Sequence, residues 1–214
     1  MPMIYTSYMN EHEDGKKQNK RNYIRRNRDR LIGLFMSEPE NGRMGRTLYI
    51  IHAALIAAVY AALTIGLAPI SFGQQQLRVA EALAVLPAFT PAAVPGLFVG
   101  CAIANTVSFM GLPDLIFGSA ATLVSAQLTK IIARATQNRK LLLQAALIPL
   151  PAVIINTAVI GAMLTVLADL PFWVAAIGVM TGQILSCYGL GAPLFCLLRG
   201  YTKYIGMQNI KKDT

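Results

Sequence analysis

Charged side chains are scarce in this chain of 214 residues. They make up 14% of the sequence, against about a quarter in an average soluble domain. They are also absent from five long segments, which span residues 47–77, 82–113, 115–129, 141–168 and 170–198. A hydrocarbon core of about 30 Å is crossed by about 20 apolar residues in a helix. A soluble core can hide one such helix, so five segments of this kind indicate an all-α integral membrane protein.

Cysteine and histidine are also rare. The three cysteines, Cys101, Cys187 and Cys196, lie inside apolar segments, and their spacing matches no zinc or redox motif. An odd count argues against a disulfide framework, so we interpret them as small buried hydrophobic residues. The two histidines, His12 and His52, lie far apart in the sequence. We therefore predict no metal site.

Enzymatic motifs are missing from the sequence. It contains no glycine-rich phosphate loop before a lysine, no paired histidines of a metal-binding helix, and no serine or cysteine with a plausible base. We therefore predict that the protein is not an enzyme, needs no cofactor and cannot hydrolyse ATP itself. The spans also lack the charged relay of a proton-driven carrier. If the protein transports a solute, the energy comes from a partner.

Basic residues are plentiful outside the apolar segments. The chain has 19 Lys and Arg but 10 Asp and Glu, and ten of the basic residues precede the first apolar segment. The cluster at 16–30 resembles a nucleic-acid site, but the positive-inside rule expects the same pattern in a cytoplasmic tail. We predict that residues 1–46 form such a tail and that it is largely disordered. We expect it to contact membrane lipid and to bind no nucleic acid. Within it, residues 23–36 could lie on the membrane as a short amphipathic helix.

Helix breakers divide the apolar part into six predicted transmembrane helices. Pro91 and Pro95, for example, interrupt a segment that is too long for one helix. The predicted spans are residues 48–67, 77–89, 95–110, 114–134, 141–167 and 172–198. Together they form a membrane domain of residues 47–200, followed by a basic cytoplasmic tail of residues 201–214.

The distribution of charge predicts the orientation of these spans. With the N-terminus in the cytoplasm, eighteen of the 19 basic residues fall on the cytoplasmic side, together with the C-terminus. The outer loops then hold only two charges, Asp114 and Asp169. This lysine and arginine bias is what the positive-inside rule requires of a multi-pass membrane protein. Arg78, near the outer end of the second span, is the exception.

Arg78 is a candidate functional residue because a cation at membrane depth is expensive to hold there. It precedes Glu81 by three residues, so the two could pair on one helical face as a structural salt bridge. Alternatively, they line a polar pocket near the outer surface, with Gln76 beside them and Phe72 as an aromatic plane. A planar heterocycle would suit such a pocket.

Three uncharged polar residues, Asn105, Asn156 and Gln183, lie within apolar segments. Each amide needs a partner there. One interpretation is interhelical hydrogen bonding, which contributes about 0.6 kcal/mol per bond on average. The other is that all three face a shared cavity.

Small residues recur four apart in the first span, as Ala54, Ala58 and Ala62 and again one residue earlier. Such spacing lets helices approach closely in a bilayer. The alanines either pack within the protein's own bundle or dock against a separate membrane subunit. The pair Gly96 and Gly100 repeats the spacing, and we predict that it is internal.

Several longer motifs resemble those of the QueT family of queuosine-precursor transporters, over about residues 48–198. They are Ala68-Pro-Ile-Ser-Phe-Gly, Gln76-Leu-Arg-Val-Ala-Glu-Ala-Leu83, Phe89-Thr-Pro-Ala-Ala-Val-Pro-Gly96, Cys101-Ala-Ile-Ala-Asn105, Asp114-Leu-Ile-Phe-Gly-Ser-Ala-Ala-Thr122 and Pro151-Ala-Val-Ile-Ile-Asn156. The resemblance implies the substrate-binding component of an energy-coupling factor transporter in the bacterial plasma membrane. In such a system, a six-helix bundle captures its substrate from outside. It then docks, through small residues of its first helix, on a transmembrane coupling subunit that carries two ATPase subunits.

The resemblance also implies the ligand. It would be a 7-deazaguanine base, either queuine or one of its precursors, salvaged for tRNA modification. The predicted substrate-binding residues are Phe72, Gln76, Arg78, Glu81, Asn105, Asp114, Asn156 and Gln183. The family pattern has a glutamate where this chain has Gln183, which bears on the choice of ligand. Two alternatives stay open: the same scaffold with another vitamin or nucleobase, and a membrane scaffold protein with no transport function.

Overall fold

A computed structural model describes the backbone of residues 43–72 and 77–210, together with Gln18, Asn22 and Tyr23. The chain divides into two units, Met1–Ser37 and Glu38–Thr214. In the first unit, the three described residues are helical. The prediction of a disordered tail therefore concerns residues that lie mostly outside the described part, and so does the predicted site residue Gln76. Where the tail is described, at residues 43–46, it is already helical.

The second unit is helical throughout its described length, apart from turns. Its elements are α1 (Arg43–Gly66), α2 (Ala68–Ser71), α3 (Val79–Ala88), α4 (Ala93–Asn105), α5 (Asp114–Gly118), α6 (Ser119–Thr136), α7 (Leu141–Leu147), α8 (Leu150–Leu167), α9 (Phe172–Ile184), α10 (Leu185–Gly191) and α11 (Ala192–Ile210). Of these, α3 is a 3-10 helix, while α5 and α10 are π-helical segments continuous with the α-helices that follow them.

Within the described part of the chain, four helical segments are long and apolar enough to cross a membrane. They are Gly45–Gly66, Asp114–Thr136, Leu141–Leu167 and Phe172–Thr202. The fold is therefore that of a multi-pass helical membrane protein. The two other predicted spans correspond to α3 and α4, of 10 and 13 residues. At about 2.0 Å per residue in a 3-10 helix and 1.5 Å in an α-helix, each is roughly 20 Å long, which is shorter than a bilayer core.

Several of the predicted boundaries differ from those of the structure. The third helix ends at Asn105, five residues early, because residues 106–110 form turns. The fifth predicted span breaks at Ile148 and Pro149 into α7 and α8, as expected where a ring replaces a backbone donor. At the other end of the chain, α11 continues to Ile210, through most of the predicted tail.

Close packing of α1 on α4 depends on two glycines. A Cβ atom on Gly96 would lie 2.8 Å from the carbonyl oxygen of Ala53, and one on Gly100 would lie 2.8 Å from that of Ala57. Both glycines are buried, so the prediction that they are internal is confirmed. The helix backbones approach closely here because no side chain separates them. This contact places the face of α1 that carries Ala57 and Tyr60 against α4 and near α3.

Candidate functional site

Arg78 is buried at the start of α3, with 3% of its surface exposed. Its backbone is extended, at φ −86° and ψ 95°, so the residue precedes the helix instead of belonging to it. The guanidinium Nη2 donates to both carboxylate oxygens of Asp114, at 3.0 Å each. Of the two alternatives for Arg78, a structural salt bridge with Glu81 is therefore wrong, since Asp114 is the ion-pair partner. The three-residue spacing brings side chains together only where both residues are helical.

Asp114 begins α5 and is fully buried, although the sequence placed it in an outer loop. In addition to Arg78, the hydroxyl of Ser108 donates to its Oδ2 at 2.6 Å. The amide of Asn105 donates to its backbone carbonyl at 2.8 Å. The start of α5 thus lies inside the bundle, and its first residue supplies the carboxylate that pairs with the arginine.

Glu81 lies on α3 and is 1% exposed. The hydroxyl of Tyr60, on α1, donates to its Oε1 at 2.6 Å, and the amide of Asn156 on α8 lies close to the same carboxylate. The sequence analysis missed Tyr60. The signal was available, since a tyrosine in an alanine-rich span needs a partner for its hydroxyl when buried.

Cys101 contacts several of these polar side chains. Its sulfur accepts from Thr122 Oγ1 at 3.2 Å and from Asn105 Nδ2 at 3.4 Å, and it lies 3.9 Å from Arg78 Nη1. The residue is buried, as predicted for all three cysteines, although Cys196 is only partly so. Cys101 was predicted to act only as a small hydrophobic residue, and that prediction does not account for these polar contacts.

Gln183 on α9 is also buried, and it connects to the cluster through Cys187 of α10. The thiol of Cys187 lies 3.5 Å from Gln183 Oε1 and 3.7 Å from the backbone carbonyl of Glu81. The predicted amides Asn105, Asn156 and Gln183 therefore all lie in one buried region, around Arg78 and Glu81.

Phe72 lies just after α2 and is buried. The guanidinium carbon of Arg78 is 5.4 Å from the centre of its ring, within the distance of a cation–π interaction. The predicted aromatic plane is thus beside the arginine. Whether these residues bind a substrate stays a prediction.

Gly118, at the end of α5, determines how tightly the cluster closes. A Cβ atom at this position would lie 2.7 Å from Asn105 Nδ2 and 2.9 Å from Asp114 Oδ1. Real side chains do not approach this closely, so the glycine leaves room for the two polar groups. Gly118 belongs to one of the motifs shared with the family, but its sequence context did not predict this role.

The two alanine series of α1 face different surroundings. Ala57 and Ala61 are buried, whereas Ala54, Ala58 and Ala62 are exposed. We call these three exposed residues the alanine stripe. Packing inside the bundle therefore accounts for the first series and leaves the stripe on the outer surface of α1.

Comparison with known proteins gives two matches. A model of the family described as "QueT transporter" matches residues 50–200 of the chain. The chain is also 37% identical over 84 residues to the queuosine precursor transporter QueT of Lactococcus lactis subsp. cremoris (strain MG1363). That match covers 38% of this chain and 49% of the relative, so it spans about half the relative's length. No solved structure matches the chain.

Proposed function

Because the chain belongs to the QueT transporter family, we propose that it captures a queuosine precursor or queuine, a 7-deazaguanine base, for import across the bacterial plasma membrane. The chain would act as the substrate-binding component of an energy-coupling factor transporter. The imported base would serve tRNA modification.

One observation supports this proposal most: a polar cluster is buried within an apolar bundle. Arg78, Glu81, Asn105 and Asp114 are each at most 3% exposed. Charges at such depth are costly and usually mark a substrate pathway. A salt bridge alone would satisfy Arg78 and Asp114, but Glu81 lies outside that pair and is held by a neutral tyrosine. A carboxylate kept in this way suits a ligand that offers hydrogen-bond donors.

The other members of the cluster fit the same ligand class. The amides of Asn156 and Gln183 supply donors and acceptors, and Phe72 offers a face on which a planar heterocycle can stack. Its ring already contacts the guanidinium of Arg78. We assign Gln76, outside the described residues, to the same pocket because it directly precedes this segment in the sequence.

We further propose that energy comes from partner subunits. The sequence contains no nucleotide-binding loop, so ATP hydrolysis is assigned to two ATPases joined by a coupling subunit. The alanine stripe (Ala54, Ala58 and Ala62) is exposed on α1, where small residues permit close approach of a partner helix. This is the surface on which we place the coupling subunit.

Binding of the base tests the proposed function. The purified full chain, in detergent or nanodiscs, should bind radiolabelled 7-deazaguanine, and an excess of the unlabelled base should displace it. Mass analysis of the ligand carried by freshly purified protein should show a deazapurine. A different bound vitamin or nucleobase would redirect the assignment to that compound, and an absence of any bound or binding base would contradict it.

Docking on the alanine stripe is tested separately. We expect Ala58→Leu to reduce co-purification of a coupling subunit and its ATPases by at least about tenfold, because close packing of small residues is lost. Affinity for the base should not change. The matched control is Ala120→Leu, which adds the same side chain at an exposed position of α6. Equal loss in both variants would argue against docking on α1.

A further inference from the structure

Three side chains of the candidate site each carry a buried polar atom with no hydrogen-bond partner among the described residues. The atoms are Arg78 Nε, Glu81 Oε2 and Asn105 Oδ1. Leaving such an atom unpaired costs roughly 1–3 kcal/mol, and folded proteins pair more than about 90% of them. Their occurrence on three side chains of one cluster therefore points to a ligand that completes them.

Other polar atoms of these side chains already form hydrogen bonds within the protein. Each unpaired atom can therefore be assigned as a donor or an acceptor. Tyr60 donates to Glu81 Oε1. The amide of Asn156 lies near the carboxylate but makes no hydrogen bond to Oε2, which is therefore the acceptor left over. The amide nitrogen of Asn105 donates to the carbonyl of Asp114, so its Oδ1 is also an acceptor. Arg78 uses Nη2 for Asp114, which leaves Nε as a donor. The cluster thus offers one donor and two acceptors.

The three side chains are neighbours. Arg78 and Asn105 both contact the sulfur of Cys101, and the backbone N–H of Glu81 donates to the carbonyl of Arg78 at 2.9 Å. A ligand that satisfies all three must present one acceptor and two donors along its edge. A guanine-type edge does so, through its oxo group, its ring N–H and its exocyclic amine. An adenine-type edge presents one ring acceptor and one amine, and therefore leaves an acceptor unpaired.

We infer that this site recognises the 2-amino-6-oxo edge of its base. This rests on the proposed function. Glu81 and Asn105 accept hydrogen bonds from the amine and the ring N–H, and Arg78 Nε donates to the oxo group. Tyr60 is a positioning residue, because it occupies Oε1 and so presents Oε2 to the base.

Wild-type protein tests this without any substitution. Its affinity is measured for 7-deazaguanine, for 7-deazahypoxanthine, which lacks the exocyclic amine, and for 7-deazaadenine. We expect both analogues to bind at least about tenfold more weakly, since each leaves a buried acceptor unpaired. Equal affinity for all three bases overturns the edge assignment and leaves the proposed function standing. Failure of all three to bind overturns the proposed function as well.

Substitutions then identify the residues that discriminate. In Glu81→Gln, an amide replaces the carboxylate, and the preference for 7-deazaguanine over 7-deazahypoxanthine should fall at least about tenfold. Tyr60→Phe should lower the same ratio while the protein stays folded, as followed by thermal unfolding. The matched control is Tyr188→Phe, which removes a hydroxyl that donates at 2.7 Å to the backbone of Ala146. If the wild-type ratio persists in Glu81→Gln, the assignment is wrong.

Discussion

At the scale of single residues, Gly118 sets the space available to the polar cluster. The absent side chain is what allows Asn105 and Asp114 to meet beside it, at distances that a Cβ atom would make impossible. The position is therefore sensitive to the smallest enlargement.

We predict that Gly118→Ala weakens binding of 7-deazaguanine at least about tenfold and lowers thermal stability, because overpacking costs about 1–3 kcal/mol. Titration of the base and thermal unfolding in detergent measure the two effects. Gly189→Ala is the matched control. It also lies in a π-helical segment, and a Cβ atom there would meet nothing within 4 Å. Wild-type affinity in Gly118→Ala would contradict the prediction.

The buried ion pair makes a second residue-level prediction. Removing one partner of such a pair leaves an uncompensated charge and costs about 3–5 kcal/mol. Asp114→Asn should therefore lower the unfolding temperature clearly more than Glu81→Gln, whose carboxylate is held by a neutral tyrosine. Thermal unfolding of both variants under the same conditions provides the comparison. A larger loss in Glu81→Gln would contradict this order.

Composition was sufficient to single out most of these residues, but not their partners. Polar side chains in apolar segments are conspicuous, and all six of the predicted polar residues that the structure describes are buried in the bundle. Their pairing depends on where each helix begins. A helical Arg78 would have faced Glu81, whereas an extended one reaches Asp114 across a turn that no periodicity predicts. Tyr60 was missed although its buried hydroxyl needs a partner. Cys101 was interpreted as a small hydrophobic residue because its spacing matches no known motif.

At the scale of helices, the contact between α1 and α4 couples packing to the site. A Cβ atom on Gly100 would lie within 2.9 Å of the backbone of Ala57 and of the Cβ of Tyr60. These atoms are backbone or next to it and have little freedom to move. Any enlargement must push the two helices apart, and Tyr60 with them.

Gly100→Ala is accordingly expected to destabilise the protein by about 1–3 kcal/mol and to weaken binding of the base, because Tyr60 shifts from Glu81. Gly66→Ala serves as the control, since a Cβ atom at the end of α1 meets nothing within 4 Å. Thermal unfolding and base titration report the two effects. Unchanged stability in Gly100→Ala would show that the helices separate at little cost.

The sequence predicted where most helices lie but not their type. Residues 141–167 were predicted as one span, whereas the helix breaks at Pro149 into α7 and α8, because the missing donor of a proline has a local effect. Neither the 3-10 form of α3 nor the π-helical segments follow from hydrophobicity, since an apolar residue fits each geometry equally well. The type of helix depends instead on how neighbouring elements pack, which is a tertiary property.

At the scale of the whole molecule, the charge distribution predicts an orientation that labelling can test. Phe109 is 83% exposed in the turn after α4, and the positive-inside rule places it outside the cell. Arg139 lies in the basic turn between α6 and α7, which the rule places in the cytoplasm. Cys101 and Cys187 are buried, so the wild-type protein serves as the background.

An impermeant maleimide should label Phe109→Cys in intact cells. It should label Arg139→Cys only after the cells are permeabilised. The opposite pattern would reverse the orientation, and labelling of both residues in intact cells would contradict the predicted number of spans between them.

The two faces of α1 have a mechanical consequence. The helix carries exposed alanines on one side and Tyr60 on the other, 2.6 Å from a carboxylate. A side-chain tip roughly 6 Å from the axis of a helix moves about 2 Å when the helix turns by about 20°. That displacement exceeds what a hydrogen bond tolerates. A neighbour that rolled α1 by this angle would free the Glu81 carboxylate, so that arrival of a partner and departure of a bound base would become one motion.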